Sequence, residues 1–327
     1  MQIFTNANYN FIRWRWHALV LSLIVIGAGA VTIATRGLPL GIDFSGGTFL
    51  VVQFEQAVSE EQVRNAIAAI PGDEVVQQYD DPARRQIAIR LARVEGTEGA
   101  ESLERGSEQV SQALQQAGLP KFEMVQRELV SAIIGEDLQR RGIYATLASI
   151  LAITIYIGFR FRFSFAVGAI AATFHDIFVT LAFLTFFGYD LSLNVVAALL
   201  TITGYSVNDT IVIFDRVREN LRTMRKEPLQ EVVNRSVNQT LGRTVITAGT
   251  TFLSVLSLYI FGGEALRAFA FTMLVGIVSG TYSTIFIASA IAIILSQRKR
   301  SAAAPAVVTK GESSPRPGRK QRGARAS

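Results

Sequence analysis

The sequence predicts a polytopic α-helical membrane protein with six transmembrane helices and one α+β domain inserted between the first span and the second. Three observations predict it. Six apolar stretches have lengths near the roughly 20 residues that a bilayer-spanning helix needs. The long segment between the first two carries most of the acidic residues and reads as alternating strands and helices. The composition is 50% hydrophobic with only 18% charged residues and a mean hydropathy of +0.32, too apolar for an ordinary soluble chain of 327 residues.

The spans are read at 16–35, 142–159, 163–187, 191–214, 244–261 and 268–296. Their length and their Ala, Leu and Ile content suit helices, and recurrent Gly and Thr suit packed membrane helices. Gly276 and Gly280 form a GxxxG pattern in the last span, read as close helix packing. The first span has a rival reading as a signal peptide, with Ala28-Gly29-Ala30 as a cleavage site. The apolar run continues to Thr35, which favours a retained anchor.

Orientation follows from Lys and Arg in the short connections. Arg13 and Arg15, Arg160 and Arg162, the basic residues between spans four and five, and Arg298-Lys299-Arg300 all fall on one side of six spans. That side is expected to be cytoplasmic, with both termini on it. Residues 1–15 form the cytoplasmic N-terminus, 36–141 the outer domain, and 297–327 a basic tail expected to be disordered. The net charge of +6 is a weak sign of nucleic acid, because nine basic residues lie after Gln297 and most others flank apolar runs.

Within 36–141, the segments Gly47–Phe54, Glu74–Tyr79, Arg85–Leu91 and Lys121–Val130 read as strands. Ser59–Ile70 and Glu101–Ala117 read as helices; Ser59 with Gln62 has capping-box spacing, and Pro71-Gly72 is the stop. A turn falls at Asp80-Asp81-Pro82. The β-α-β-β-α-β order is ferredoxin-like. No nucleophile–base set is visible, so a binding or lever domain without chemistry is expected.

Cysteine is absent and only two histidines occur, so no cofactor or metal is expected and no enzyme activity is legible. Gly41-Ile-Asp-Phe-Ser-Gly-Gly47 lacks the Gly-Lys-Ser/Thr ending of a P-loop and precedes a strand. With Gly41, Asp43, Gly46 and Gly47 it reads as a tight turn leading into the outer domain.

The sharpest signal is polarity where lipid should be. An Asp near the centre of a span costs roughly 2.5–3.5 kcal/mol on insertion scales, so such residues usually face a bundle interior and serve function. His175 and Asp176 lie mid-span three, Asn208 and Asp209 lie in span four, and Arg243 opens span five with Thr247 one turn on. Asp209 and Arg243 are expected at similar depth towards the cytoplasm. A snorkelling anchor for Arg243 and a structural polar contact for Asp209 remain open on pattern alone. Neighbours such as His175 and Asp176 do not share a helix face and need not act together. A carboxyl beside a cation suits proton coupling, because burial and a nearby charge act oppositely on its protonation.

These motifs carry a resemblance. Gly41-Ile-Asp-Phe-Ser-Gly-Gly-Thr48, His175-Asp176, the run from Gly204-Tyr-Ser-Val-Asn-Asp-Thr to Arg-Glu-Asn220, and Gln239-Thr-Leu-Gly-Arg-Thr-Val-Ile-Thr-Ala-Gly-Thr-Thr251 closely resemble the SecF family of protein-export subunits, over about residues 10–297. The resemblance implies an RND-type half-transporter that works with SecD beside the SecYEG channel, using the proton motive force to draw exported preproteins outward. It implies Asp209, Arg243, Thr247 and Asp176 as proton-path residues, with Gly204 and Asn208 as motif positions on the packed helix. Membrane lipid is a partner, no specific nucleic acid is implied, and YajC and YidC are left open as further partners. The competing readings are a homo-oligomeric RND exporter of small molecules or lipids, and a passive assembly protein.

Overall fold

The structure is a computed structural model that describes residues 7–45, 47–70, 74–79, 82–91, 100–130 and 132–302. Gly46, the stop at Pro71-Gly72, the turn residues Asp80-Asp81 and the tail beyond Ala302 lie outside the described residues.

A 3-10 turn at Phe11–Trp14 leads into α1 (Arg15–Arg36). A short helical turn, α2 (Ile42–Ser45), precedes β1 (Gly47–Phe54), α3 (Glu60–Ile67), β2 (Glu74–Tyr79), β3 (Gln86–Leu91), α4 (Ala100–Gln116) and β4 (Phe122–Val130). The helices α5 (Ala132–Arg160), α6 (Phe163–Phe187), α7 (Leu193–Thr223), α8 (Leu229–Phe261) and α9 (Glu264–Ser283) follow. A π-helical turn at Thr284–Ala288 joins α9 to α10 (Ser289–Ala302) as one last span. Six helices among the described residues are long and apolar enough to cross a membrane, and the chain is a multi-pass membrane protein.

Four boundaries differ from the hydropathy reading, for one reason. Helix α5 begins at Ala132, inside the stretch assigned to the outer domain, and α7 runs on to Thr223. Helix α8 begins at Leu229, well before residue 244, and the last helix continues to Ala302. Hydropathy sees only the lipid-facing length, about 30 Å of hydrocarbon. At 1.5 Å per residue, the 31 residues of α7 span roughly 46 Å. The excess is polar helix held by side chains. Asn220 donates from Nδ2 to Ser236 Oγ and to Gln239 Oε1, each at 2.8 Å, and Arg160 bonds both oxygens of Asp215 at 2.7 and 2.9 Å. The basic residues assigned to a loop between spans four and five therefore sit largely on helix.

The outer domain is a four-stranded antiparallel sheet in the order β2-β3-β1-β4. One face packs under α3 and α4, where Leu50, Val63, Ile67, Ile89, Val110 and Leu114 are fully buried. Ser59 and Gln62 form the expected capping box: the Gln62 N–H donates to Ser59 Oγ at 3.2 Å, and the Ser59 N–H donates to Gln62 Oε1 at 2.9 Å. The opposite face carries Phe49, Arg90 and Glu128 in register. Arg90 reaches from it to an ion pair with Asp190, in the turn between α6 and α7.

That turn is the seat of the domain. Leu40 and Leu191 form a parallel bridge, in which the Gly41 N–H donates to Leu191 O and the Leu191 N–H donates to Pro39 O, both at 2.7 Å. A Cβ on Gly41 would stand 3.0 Å from the Leu191 carbonyl oxygen. Asp43 Oδ2 accepts the Leu193 N–H at 2.9 Å, satisfying one of the orphan donors at the start of α7. Gly41 and Asp43 thus do more than turn the chain: they staple the root of the inserted domain to the helix that carries Asp209. Replacing Asp43 by Ala should lower stability by about 1 kcal/mol, the usual worth of a helix-capping side chain. Thermal unfolding of the purified protein in detergent checks this, and an unchanged midpoint would remove the staple.

Candidate functional site

The bundle has an inner set of helices and an outer set. Helices α6, α7 and α9 with α10 are extensively buried, whereas α1, α5 and α8 are largely uncovered. Helix α7 packs on α9 through the GxxxG glycines. A Cβ on Gly276 would collide with Ile202 at 2.2 Å, and one on Gly280 would stand 3.0 Å from Ser206 Cβ. Close approach of the backbones is what these glycines provide.

Asp209 lies 16 residues into α7, roughly 24 Å from its N-terminal end. Thr244 lies at a similar level, 17 residues from the C-terminal end of α8, or roughly 26 Å. The two meet: Thr244 Oγ1 donates to Asp209 Oδ1 at 3.0 Å. The other carboxylate oxygen, Oδ2, is buried without a hydrogen-bond partner. Arg243 is exposed beside this contact, close enough to act on Asp209 electrostatically, yet the two form no ion pair. The expected Asp–Arg juxtaposition is therefore a near neighbourhood, with Thr244 as the direct partner. Thr244 could not be singled out from sequence, because threonines are frequent throughout this span.

Thr247 is exposed, and its hydroxyl donates to the carbonyl oxygens of Arg243 and Thr244 at 2.9 and 3.1 Å. Thr250 and Ser254 continue the same exposed strip, each bonded to its own helix. On α7, Gly204 and Asn208 are exposed as well, and nothing lies within 4 Å of a Cβ built on Gly204. They do not pack helices within this chain, contrary to the expectation for them. They and the α8 strip form a polar, small-residue face in the middle of the spans.

Asp176 is placed differently. It is 1% exposed, and its two oxygens accept from three serines and lie against one imidazole nitrogen. Ser279 Oγ and His175 Nδ1 lie 2.7 and 3.1 Å from Oδ1, and Ser206 Oγ and Ser283 Oγ lie 2.5 and 2.8 Å from Oδ2. Adjacent His175 and Asp176 do touch, Nδ1 to Oδ1 at 3.1 Å, although successive residues of a helix do not share a face. The three serines come from α7 and α9, so Asp176 joins three helices. Small hydroxyl residues scattered through apolar spans gave no sequence signal for this hub.

The family description "Protein export membrane protein SecD/SecF, C-terminal" matches residues 109–298, and the SecD/SecF GG motif matches residues 31–58. The chain belongs to the SecD/SecF family. Protein translocase subunit SecF of Rhodothermus marinus is 42% identical over 305 residues, covering 91% of this chain and 96% of the relative. The SecF of Escherichia coli O157:H7 is 37% identical over 291 residues, 89% of each chain. Among solved structures, SecDF of Thermus thermophilus, described as a translocon-associated membrane protein, superposes with a TM-score of 0.79 at 34% identity. The match covers 91% of this chain and 40% of the SecDF chain. A second structure, SecDF in a super-membrane-facing form, gives a TM-score of 0.66. This SecF-type chain is a protein translocase subunit built on an RND-like membrane fold. Its GG-motif region is the segment that staples the outer domain to α7.

Proposed function

We propose that this translocase subunit pairs with a SecD subunit in a bacterial cytoplasmic membrane and converts the proton motive force into outward movement of exported chains beside the SecYEG channel. The carrying observation is the uncovered polar face of α7 and α8. Gly204, Asn208, Arg243, Thr247 and Thr250 are exposed there at mid-span, beside the buried unpartnered Oδ2 of Asp209. Lipid does not satisfy Asn208 or Arg243, since an intramembrane charge costs roughly 2.5–3.5 kcal/mol. A partner helix bundle with a complementary polar face does. The small residues allow that partner to approach closely.

In this reading Asp209 is the proton-carrying group, Thr244 holds one of its oxygens, and Arg243 and Thr247 line the approach. The oxygen left without a partner is the one available to take up a proton. Asp176 stands apart from the path, because its acceptor positions are already filled. Both termini are cytoplasmic and the ferredoxin-like domain is periplasmic, as the one-sided distribution of basic residues supports. The link from α7 through Asp43 and the Leu40–Leu191 bridge gives a proton event on α7 a route to the outer domain.

The test is export into membrane vesicles lacking the native subunit and supplied with this chain together with SecD, with and without a proton gradient. The expected result is stimulation that needs both the gradient and the pair. Equal stimulation by this chain alone, as a homo-oligomer, would replace the reading with a self-sufficient exporter.

A further inference from the structure

Two cavities lie along the seam between α1 and α8, both of them helices that the bundle leaves largely uncovered. The first, of about 820 Å³, is at the basic end. One wall is the turn before α1 with the first turn of α1, and the other is the start of α8. Asparagines tie the walls together. The Tyr9 N–H donates to Asn238 Oδ1, and Asn238 Nδ2 donates to the Tyr9 carbonyl oxygen, both at 2.8 Å. Asn234, one turn earlier on α8, donates to the same oxygen at 3.0 Å.

Arg13, Arg15 and Arg235 line this cavity, together with Glu227 and Glu231, so its charge is net positive. Among the described residues none of these three guanidinium groups is in an ion pair, although two carboxylates share the cavity with them. Arg15 Nε is buried without a hydrogen-bond partner. Buried N–H groups call for an acceptor, and guanidinium groups match phosphate through paired N–H donors.

The second cavity, of about 440 Å³, is lined by Leu21 and Val25 of α1 and Phe252 of α8, with Val179, Leu274 and Val278 behind them. The hydroxyls at its edge are spent within the protein. Tyr282 Oη donates to the Ala18 carbonyl oxygen at 2.7 Å, Ser22 Oγ lies 3.2 Å from Tyr282 Oη, and Ser279 Oγ donates to Asp176 at 2.7 Å. An occupant therefore meets hydrocarbon. Val25 stands ten residues beyond Arg15 on α1, roughly 15 Å, which is half of the roughly 30 Å hydrocarbon thickness. Trp14 and Trp16 are exposed at the basic end, where aromatic residues mark the edge of a bilayer. Within the depth of one leaflet the seam thus passes from arginine and tryptophan to pure hydrocarbon.

We propose that the α1–α8 seam holds one anionic phospholipid, with its phosphate among Arg13, Arg15 and Arg235 and an acyl chain in the groove at Val25 and Phe252. A basic cavity between spans is the kind of site that takes an acidic lipid headgroup. A free phosphate matches the first cavity alone, and a zwitterionic headgroup brings a cation into a site that is already net positive. Phe252 is two residues from Thr250 and points to another face of α8, so the seam is separate from the polar face proposed for SecD. The inference rests on the six spans crossing a membrane and is independent of the export reading.

Trp14 and Trp16 are the two tryptophans of the chain, so Trp14→Phe leaves one reporter at the site. The full chain carrying that substitution, alone and copurified with SecD, is placed in phosphatidylcholine nanodiscs. These contain a small fraction of phosphatidylglycerol or phosphatidylcholine with a nitroxide near the glycerol end of one acyl chain. Labelled phosphatidylglycerol is expected to quench Trp16 fluorescence at an about fivefold lower mole fraction than labelled phosphatidylcholine, the factor that about 1 kcal/mol for one net basic residue gives. Arg15→Gln combined with Arg235→Gln should abolish that preference. Arg162→Gln, which removes an exposed arginine at the same end of the spans, should preserve it. Val25→Phe fills the groove, spares the arginines and should weaken quenching by phosphatidylglycerol. Equal quenching by the two lipids, or an equal loss in Arg162→Gln, would reduce the effect to general surface attraction and overturn the proposal. An unaffected Val25→Phe chain, or competition by inorganic phosphate beyond that of chloride at equal ionic strength, would replace the lipid by a free anion. Loss of the preference in the SecD complex would assign the seam to SecD instead.

Discussion

Replacing Asp209 by Asn is expected to reduce proton-gradient-dependent export to the level seen without a gradient, while the protein still folds and assembles. Asn has the same shape as Asp, and its carbonyl oxygen can keep the 3.0 Å bond from Thr244. The substitution removes the ability to take up and release a proton. It adds an amide donor where Oδ2 is now buried without a partner. One charge crossing 100 mV releases roughly 2.3 kcal/mol, and that is the contribution the variant forfeits for each proton on this path. Vesicle export with and without a gradient reads the loss, and copurification with SecD reads assembly. Undiminished gradient stimulation would exclude Asp209 from the path. Loss of copurification with unchanged residual stimulation would instead favour a purely structural polar contact.

The largest expected effect on stability lies at a glycine that the sequence motifs did not single out. A Cβ on Gly168 would stand 2.5 Å from the Ala288 carbonyl oxygen and 3.3 Å from the Ala292 backbone nitrogen. Both obstacles are backbone, so no side chain can rotate away. Ala288 closes the π-helical turn, where Ser289 Oγ donates to Thr284 O at 3.2 Å, five residues back. Gly168→Val must push α6 away from the last span at the level of the buried core around Phe165 and Ala292. Overpacking of this kind costs about 1–3 kcal/mol and more where the backbone must move. A marked drop in the unfolding midpoint in detergent is expected. Gly204→Ala is the contrast. It meets nothing within 4 Å, and replacing a helical glycine by alanine favours the helix by up to about 1 kcal/mol. It should leave the isolated chain as stable as before, or more so, and weaken only the association with SecD. A destabilised Gly204→Ala chain would show that the open face of α7 is covered by this chain itself.

The two glycines show where sequence reading stops. Both lie in apolar spans, and both look like positions for close helix packing. Which one has a neighbour depends on the rotation of its helix in the bundle, and that is set by contacts from distant segments. The same holds for the polar residues. Asp209 and Asp176 each stand out, because a carboxyl in a long apolar run is costly and local sequence displays it. The sequence could not separate an Asp with a buried, unpartnered oxygen beside an open face from one saturated by Ser206, Ser279 and Ser283. Those serines come from helices 30 to 107 residues away, and each is individually unremarkable in a membrane span. Thr244 was hidden in the same way beside the more conspicuous Arg243.

By itself the sequence determined the number of spans, the inserted ferredoxin-like domain, the side on which basic residues gather, and the unusual polarity of spans three to five. These are local quantities. Hydropathy over a span, alternation along a strand and a capping box at Ser59 are read within a few residues, and the bilayer makes long apolar runs unambiguous. Only the tertiary structure decided how far the helices extend beyond their apolar runs, that Asp43 caps α7, that Thr244 holds Asp209, and that three serines saturate Asp176. Each of these depends on the relative rotation and depth of helices distant in the chain. In a membrane, where lipid is as apolar as the helix surfaces, that arrangement is set by small-residue contacts and sparse hydrogen bonds.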